Sequence, residues 1–232
     1  MHRNVNIVQL ISLCLIAPLA WAQAPNSGSP PATAKPGEAA EAPALLRPGL
    51  LFKEDWAQAA KGPITSKSSG NPNLEIKTYA PQGQVVVTGR GTEDLPKHIF
   101  TGECVSPCAL TFRDKRSFAD LSGLARIRMS TRVSGFHQLR PIVKLADGSW
   151  WIGNQAVGTD SDWLESEISF ADLRWLKLDM PKLITRGNLV DKIDLSKVDE
   201  VGFADLETGS GHGPGGAADV AQIEVYAHAV PR

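Results

Sequence analysis

Glu165 and Glu167 stand two residues apart, and in an extended strand residues i and i+2 share a face. Their carboxyls would then lie at a spacing compatible with glycoside chemistry, in which one carboxylic acid protonates the leaving oxygen and a second acts as nucleophile or base. Two acids alternating with apolar residues are equally an ordinary solvent-facing strand. The second feature is a charge segregation. From Leu124 to Ala146 the chain carries Arg126, Arg128, Arg132, Arg140 and Lys144 without an acid, whereas Asp160, Asp162, Glu165, Glu167 and Asp172 fall in a stretch without a base. One reading makes this a cross-strand ladder of opposite charges on an exposed sheet, each pair contributing about 0.2–1 kcal/mol. The other makes it a polar groove. There Arg126, Arg128 and Arg140 fork onto carboxylates or sulfates of a ligand, Glu167 and His212 add polar contacts, and Trp151 supplies a platform for a sugar ring.

Other chemistries are poorly served. There is no Gly-x-Ser-x-Gly elbow and no His-Glu-x-x-His, and the two cysteines beyond the N-terminal apolar run are too few for a four-thiolate zinc site. The glycine-rich segment Thr208–Gly216 lacks the Lys-Ser/Thr ending of a phosphate cradle and joins two strands instead of opening a helix. Its His212 is either a solvated loop residue or a ligand contact at the rim. His137 falls on the face opposite Arg140, the expected place of a satisfied core imidazole. Trp150 and Trp151 are neighbours, so a strand points them to opposite faces and only one can enter a given core.

The elements that must position these residues read as strands. Short β-branched and apolar runs recur between turn signals at Leu50–Trp56, Leu74–Tyr79, Gln84–Thr88, His98–Thr101, Ala109–Arg113, Leu124–Val133, His137–Leu145, Trp150–Gln155, Trp163–Phe170, Trp175–Asp179, Glu200–Asp205 and Val220–His228. So many short strands predict an all-β fold, an antiparallel sandwich, with helix only in single turns near Phe118–Leu121 and Lys182–Thr185. Asp147-Gly148 and Ser134-Gly135 supply turn chemistry for two hairpins. Alternation puts Ala125, Ile127, Met129, Thr131 and Val133 on one face, and Arg126, Arg128, Ser130 and Arg132 on the other.

Organisation and compartment follow from the N-terminal quarter of the 232 residues. Arg3, an apolar run from Ile7 to Ala20 and the small residues of Ala20-Trp21-Ala22 predict a signal peptide over residues 1–22. Cys14 lies inside the apolar run, preceded by Leu13 where a lipid-attachment box needs a small residue. Residues 23–49, with Pro25, Pro30, Pro31, Pro36, Pro43 and Pro48 among Ala, Gly and Ser, read as a flexible linker, leaving residues 50–232 as the sandwich domain. The expected location is secreted or periplasmic, with no membrane insertion. A formal net charge of −1 and a pI near 6.5 argue against nucleic acid as a partner. In an oxidising compartment Cys104 and Cys108 are expected to pair across the Val105-Ser106-Pro107 turn, the alternative being two buried thiols.

The C-terminal stretch carries a resemblance. Asp194-Leu195-Ser196-Lys197-Val198-Asp199-Glu200-Val201-Gly202-Phe203, the glycine loop, and Asp219-Val220-Ala221-Gln222-Ile223-Glu224-Val225-Tyr226 together resemble the final hairpin of galactose-binding-like jelly-roll domains. Asp162-Trp163-Leu164-Glu165-Ser166-Glu167-Ile168-Ser169-Phe170 is similar to the strand preceding it in carbohydrate-binding modules of that fold. The segment also looks like a group of secreted bacterial proteins for which it implies no activity. With no catalytic motif in the chain, the reading is a non-catalytic domain that needs no cofactor; the resemblance makes a polysaccharide or cell-envelope glycan its ligand, with acidic glycans suited to the arginines. An envelope structural or protein-binding role is the alternative, and a polysaccharide hydrolase or lyase the second. The fold further implies a structural Ca²⁺ where first and last strands meet, for which Glu54 or Asp55 and Asp219 offer oxygens; the same residues are otherwise plain surface acids.

Overall fold

The computed structural model describes residues 46–59, 62–81, 88–92, 95–102, 104–207 and 216–232. The signal peptide, residues 23–45 of the linker, most of the expected strand at Gln84–Thr88 and the glycine loop with His212 lie outside the described residues. Sixteen strands follow in order: β1 Leu50–Glu54, β2 Gly62–Pro63, β3 Leu74–Tyr79, β4 Thr88–Thr92, β5 Leu95–Phe100, β6 Cys108–Asp114, β7 Ser117–Asp120, β8 Arg126–Val133, β9 Leu139–Leu145, β10 Trp150–Gly153, β11 Asp160–Ser169, β12 Trp175–Asp179, β13 Ile184–Val190, β14 Val198–Asp205, β15 Ala218–Tyr226 and β16 His228–Pro231. One 3-10 turn, Phe170–Asp172, separates β11 from β12.

The strands form two antiparallel sheets, the sandwich that the strand count predicts, of the jelly-roll type that the resemblance implies. Sheet A runs β11-β8-β15-β5-β4-β2, with β1 also on β15; sheet B runs β13-β12-β10-β9-β14-β6-β3, with β7 bridging β14 and β16. Between them lies the core. β8 alternates strictly, with Ile127, Met129, Thr131 and Val133 buried and the intervening residues half-buried on the outside. Facing strands contribute Phe112, Val143, Trp175, Val201 and Phe203. Phe112 packs against Phe52 and Trp56 with ring centroids 5.5 and 6.0 Å apart. Burying aromatic side chains of this size adds a substantial favourable contribution to that of the aliphatic residues around them.

Several expectations need correction. Ser134-Gly135 is not a hairpin turn: Gly135 has φ +67°, but β8 belongs to sheet A and β9 to sheet B, so the chain crosses the sandwich here. Gly148 does close a hairpin, with φ +85° and its N–H bonded to Leu145 O between β9 and β10. The stretch expected as a helical turn at Phe118–Leu121 is strand β7 as far as Asp120, because the C-terminal β16 pairs with it. Near Lys182–Thr185 the single turn precedes strand β13, which begins at Ile184.

Cys104 and Cys108 are joined by a disulfide with their Cα atoms 6.3 Å apart. It closes the turn leading into β6. Beside it Thr101 and His137 both bond Asp205, at 2.8 Å from the hydroxyl and 2.6 Å from Nδ1, in a fully buried cluster. His137 is thus a core imidazole, as its face assignment predicts, but only its Nδ1 is bonded: among the described residues the buried Nε2 has no hydrogen-bond partner. Burial raises the Asp205 pKa above the usual carboxylate range, and the hydrogen bond and charge of His137 only partly offset this.

Candidate functional site

The outer face of sheet A gathers the densest set of polar side chains named from the sequence. Register aligns β11, β8 and β15 so that Glu167 and Glu224 flank Arg128, Glu165 and Gln222 flank Ser130, and Asp219 lies beside Arg132. Glu167 accepts from Arg126 Nε at 3.1 Å and Arg128 Nη2 at 3.2 Å. Arg128 also lies 3.8 Å from Glu224, and the bond to Glu167 holds its pKa above the ordinary guanidinium value. Arg132 reaches Asp219 at 2.8 Å, and the Arg126 guanidinium sits 4.0 Å over the Tyr226 ring. This is the ladder arrangement: the acidic strand and the last long strand neutralise the basic one.

At one end Trp163 and His98 meet edge to face over Arg132 and Asp219, with centroids 5.4 Å apart. Beside this bridge lies a groove of about 360 Å³ with Ser130, Glu165 and Gln222 in its floor and Asp55, Ala57, Pro96 and Lys97 in its wall. The groove has a structural origin. β1 pairs with β15 over Leu50–Glu54 and β5 pairs over Asp219 and Val220, so two strands abut end to end along one edge of β15 and leave a seam at Ala221 and Gln222. The register also slips there, between Val220 and Gln222. The wall is pinned from both sides. Buried Glu54 accepts from the Trp56 N–H at 2.8 Å and from the Ser69 hydroxyl, and Lys97 Nζ donates to Ala57 O at 2.6 Å. Among the described residues Glu165 has no ion-pair or hydrogen-bond partner, so its carboxylate faces the groove uncommitted.

Not every residue named from the sequence is here. Arg140 is on the opposite side of the molecule, outward on sheet B, because the chain changes sheets at Val133–Gly135. Its Nε donates to Gly153 O at 2.8 Å, and partial burial lowers its pKa. Trp151 is also on sheet B and leans on the main core, its indole N–H on Ser149 Oγ at 3.1 Å; it is not beside the arginines. Trp150 takes the outer face and meets Tyr79 edge to face at 5.3 Å. Asp55 and Asp219 are not brought together as a cation pair. The register places Asp55 next to Gln222, about 10 Å along β15 from Asp219 at the rise of a strand, and Asp219 is already held by Arg132 and His98. His212 lies outside the described residues.

Sequence reasoning missed Gln222, Ser130, Pro96 and Lys97 as groove residues. For Gln222 and Ser130 the signal was present, since both fall on the outward positions of alternating strands. Pro96, Lys97 and Ala57 carried no local signal, because only the meeting of β1 and β5 on β15 brings them in.

A second polar centre sits on sheet B. The Glu200 carboxylate is fully buried and accepts from Tyr79 OH and Thr111 Oγ1 at 2.7 Å, Lys77 Nζ at 2.8 Å and Lys144 Nζ at 3.1 Å. Burial opposes its ionisation, but these four donors together hold its pKa below the usual range. Its oxygens are saturated, so it is structural. An apolar cleft of about 510 Å³ at one end of the sandwich is lined mainly by Leu121, Leu124, Phe170, Leu173 and Trp175.

No protein family matches the sequence, and neither does any curated protein. Solved structures do. The chain is similar to a family 11 carbohydrate-binding module from Clostridium thermocellum in complex with a β-1,3-1,4-mixed-linked tetrasaccharide, at 16% identity over 74% of this chain and 97% of that one, TM-score 0.45. It is similar to the family 11 module of a cellulosomal cellulase of Clostridium thermocellum at 15% identity, over 73% and 96% of the two chains, TM-score 0.46. A family 29 carbohydrate-binding module complexed with cellulohexaose matches at 12% identity, over 67% and 93%, TM-score 0.32.

Proposed function

We propose that this protein is a secreted, non-catalytic carbohydrate-binding domain that seats a polysaccharide in the groove on the outer face of sheet A. The observation that carries the reading is the convergence of Ser130, Glu165, Gln222, Asp55 and Lys97 in one open groove, on a face whose arginines are matched by acids of the same sheet. Uncharged sugar hydroxyls suit side chains of this kind. Structures similar in fold hold a mixed-linked tetrasaccharide and cellulohexaose, and this chain is tested first with the same glucans. The signal-peptide pattern and the disulfide support secretion.

Catalysis by Glu165 and Glu167 is not supported. A glycosidase needs both carboxyls directed at one bond, whereas Glu167 is engaged by two guanidiniums and Glu165 alone faces the groove. The test is isothermal titration with mixed-linked glucan oligosaccharides, cellohexaose and oligogalacturonate. Glu165→Ala and Gln222→Ala should each weaken glucan binding about tenfold, equivalent to about 1.4 kcal/mol. Absence of binding to every glycan, or affinities unchanged in both variants, would refute the groove. A preference for oligogalacturonate that salt weakens would instead favour an acidic glycan read by the half-exposed Arg128. Release of reducing ends, abolished by Glu167→Gln, would restore the hydrolase reading.

A further inference from the structure

We infer that Glu224 is a positioning residue that fixes the polarity of the groove floor, so that the groove takes a neutral glycan through hydroxyl groups the glycan itself donates. The inference rests on the carbohydrate reading of that groove. Glu224 stands next but one to Gln222 on the same face of β15, with its side chain only 12% exposed. Two donors bond it, Gln222 Nε2 at 2.8 Å and Tyr226 OH at 2.7 Å, and the Arg128 guanidinium pairs with it at 3.8 Å. Its hydrogen bond to Tyr226 also keeps the phenol protonated by raising its pKa.

An ionised carboxylate only accepts. Gln222 must therefore turn its NH₂ group to Glu224, and the planar amide carries its carbonyl oxygen to the other side, where Gln222 lines the groove. Rotation about the last side-chain bond would bring that oxygen against the carboxylate, which is repulsive. The floor thus presents the Gln222 carbonyl, the uncommitted Glu165 carboxylate and the Ser130 hydroxyl, which can both donate and accept, with Asp55 at the wall. Lys97, the basic side chain in the lining, already gives one N–H to Ala57 O. Acceptors outnumber donors, so a ligand has to bring donors. A glycan with free hydroxyls does so; an O-methylated glycan does not, and a uronate adds negative charge facing Glu165.

The experiment compares the full chain with Gln222→Ala, Glu224→Gln and the double variant. The probes are cellohexaose and a mixed-linked β-1,3-1,4 tetrasaccharide, each native and fully O-methylated. Glutamine at 224 keeps the shape of the side chain and its contact to Tyr226, but it can donate as well as accept and no longer dictates the Gln222 orientation. Glu224→Gln is expected to weaken native glycan binding about fivefold, and Gln222→Ala about tenfold. In the Glu224→Gln background Gln222→Ala should cost markedly less than in the native chain, because the two act as one unit. The methylated probes should not bind.

A merely structural Glu224 would move the melting temperature and leave affinity, or the cost of Gln222→Ala, the same in both backgrounds; that result overturns the inference while the groove stands. Equal binding of methylated and native probes overturns it too. If no probe binds, or Gln222→Ala and Glu165→Ala both leave affinity unchanged, the groove reading falls and takes the inference with it.

Discussion

Arg140 shows how far a residue's type and sequence neighbours determine its role. It belongs by sequence to the same basic run as Arg126 and Arg128, yet only those two meet Glu167. Arg140 instead supports the backbone of β10 through Gly153 O and rests half-buried on sheet B. Replacing it by methionine keeps the packed stem and removes the bond. Arg140→Met should therefore leave glycan affinity unchanged and lower the melting temperature by a few degrees, for about 1 kcal/mol lost. Titration calorimetry and a thermal melt on the one variant check both halves, and a fivefold loss of affinity would move the site to sheet B. The groove residues divide along the same line. Gln222 and Ser130 were readable from strand alternation, while Lys97 and Ala57 were not, because nothing local marks a place where two strands end against a third.

Strand Val198–Asp205 shows a local sequence feature with a backbone cause. A Cβ placed on Gly202 would stand 2.0 Å from Leu110 O and 2.7 Å from the Thr111 Cα, both backbone atoms of the neighbouring β6. No rotamer change relieves such an overlap, so Gly202→Ala has to push β14 and β6 apart. A loss of about 3 kcal/mol or more is expected, read as a lower midpoint in urea; an unchanged midpoint would refute the close approach. Its flanking residues Val201 and Phe203 face the core, which is why this stretch was legible as a buried strand. Strand Ile184–Val190 was not legible. All seven of its residues are exposed at the edge of sheet B, so it has no apolar alternation to read, and its pairing with β12 is interrupted by a register slip between Trp175 and Lys177. The sheet change at Val133–Gly135 was equally hidden, since Ser-Gly serves a crossover as readily as a hairpin. The five-residue disulfide turn is a smaller case. Reduction should lower stability by about 2 kcal/mol, and alkylation of Cys104 or Cys108 in the unfolded, unreduced chain would show that the bond is absent.

At the scale of the whole molecule, sheet B ties stability to pH through its buried and half-buried acids. Glu200 and Asp199 on sheet B both have pKa values below the usual carboxylate range. For each, burial acts in the opposite sense but the lysine, tyrosine and threonine donors of Glu200, and Arg232 and Arg113 at Asp199, outweigh it. The unfolded chain therefore binds more protons than the folded one as pH drops below the ordinary carboxylate value. Their stabilisation is complete above that value and disappears as pH falls through the folded pKa. Asp205 has the opposite sign. With its folded pKa raised, its contribution is full below the unfolded value and is lost as pH rises through the folded one. Glu200→Gln isolates the first effect. At pH 7 it leaves Lys77 and Lys144 facing a neutral amide and should cost about 3 kcal/mol, the order expected when one partner of a buried pair is removed. As pH falls from 7 through its lowered pKa the native carboxylate is itself protonated, so the gap between variant and native chain should close. Thermal melts of both proteins across that range decide it: a gap that stays constant with pH would mean that Glu200 acts through its shape and hydrogen bonds and not through its charge.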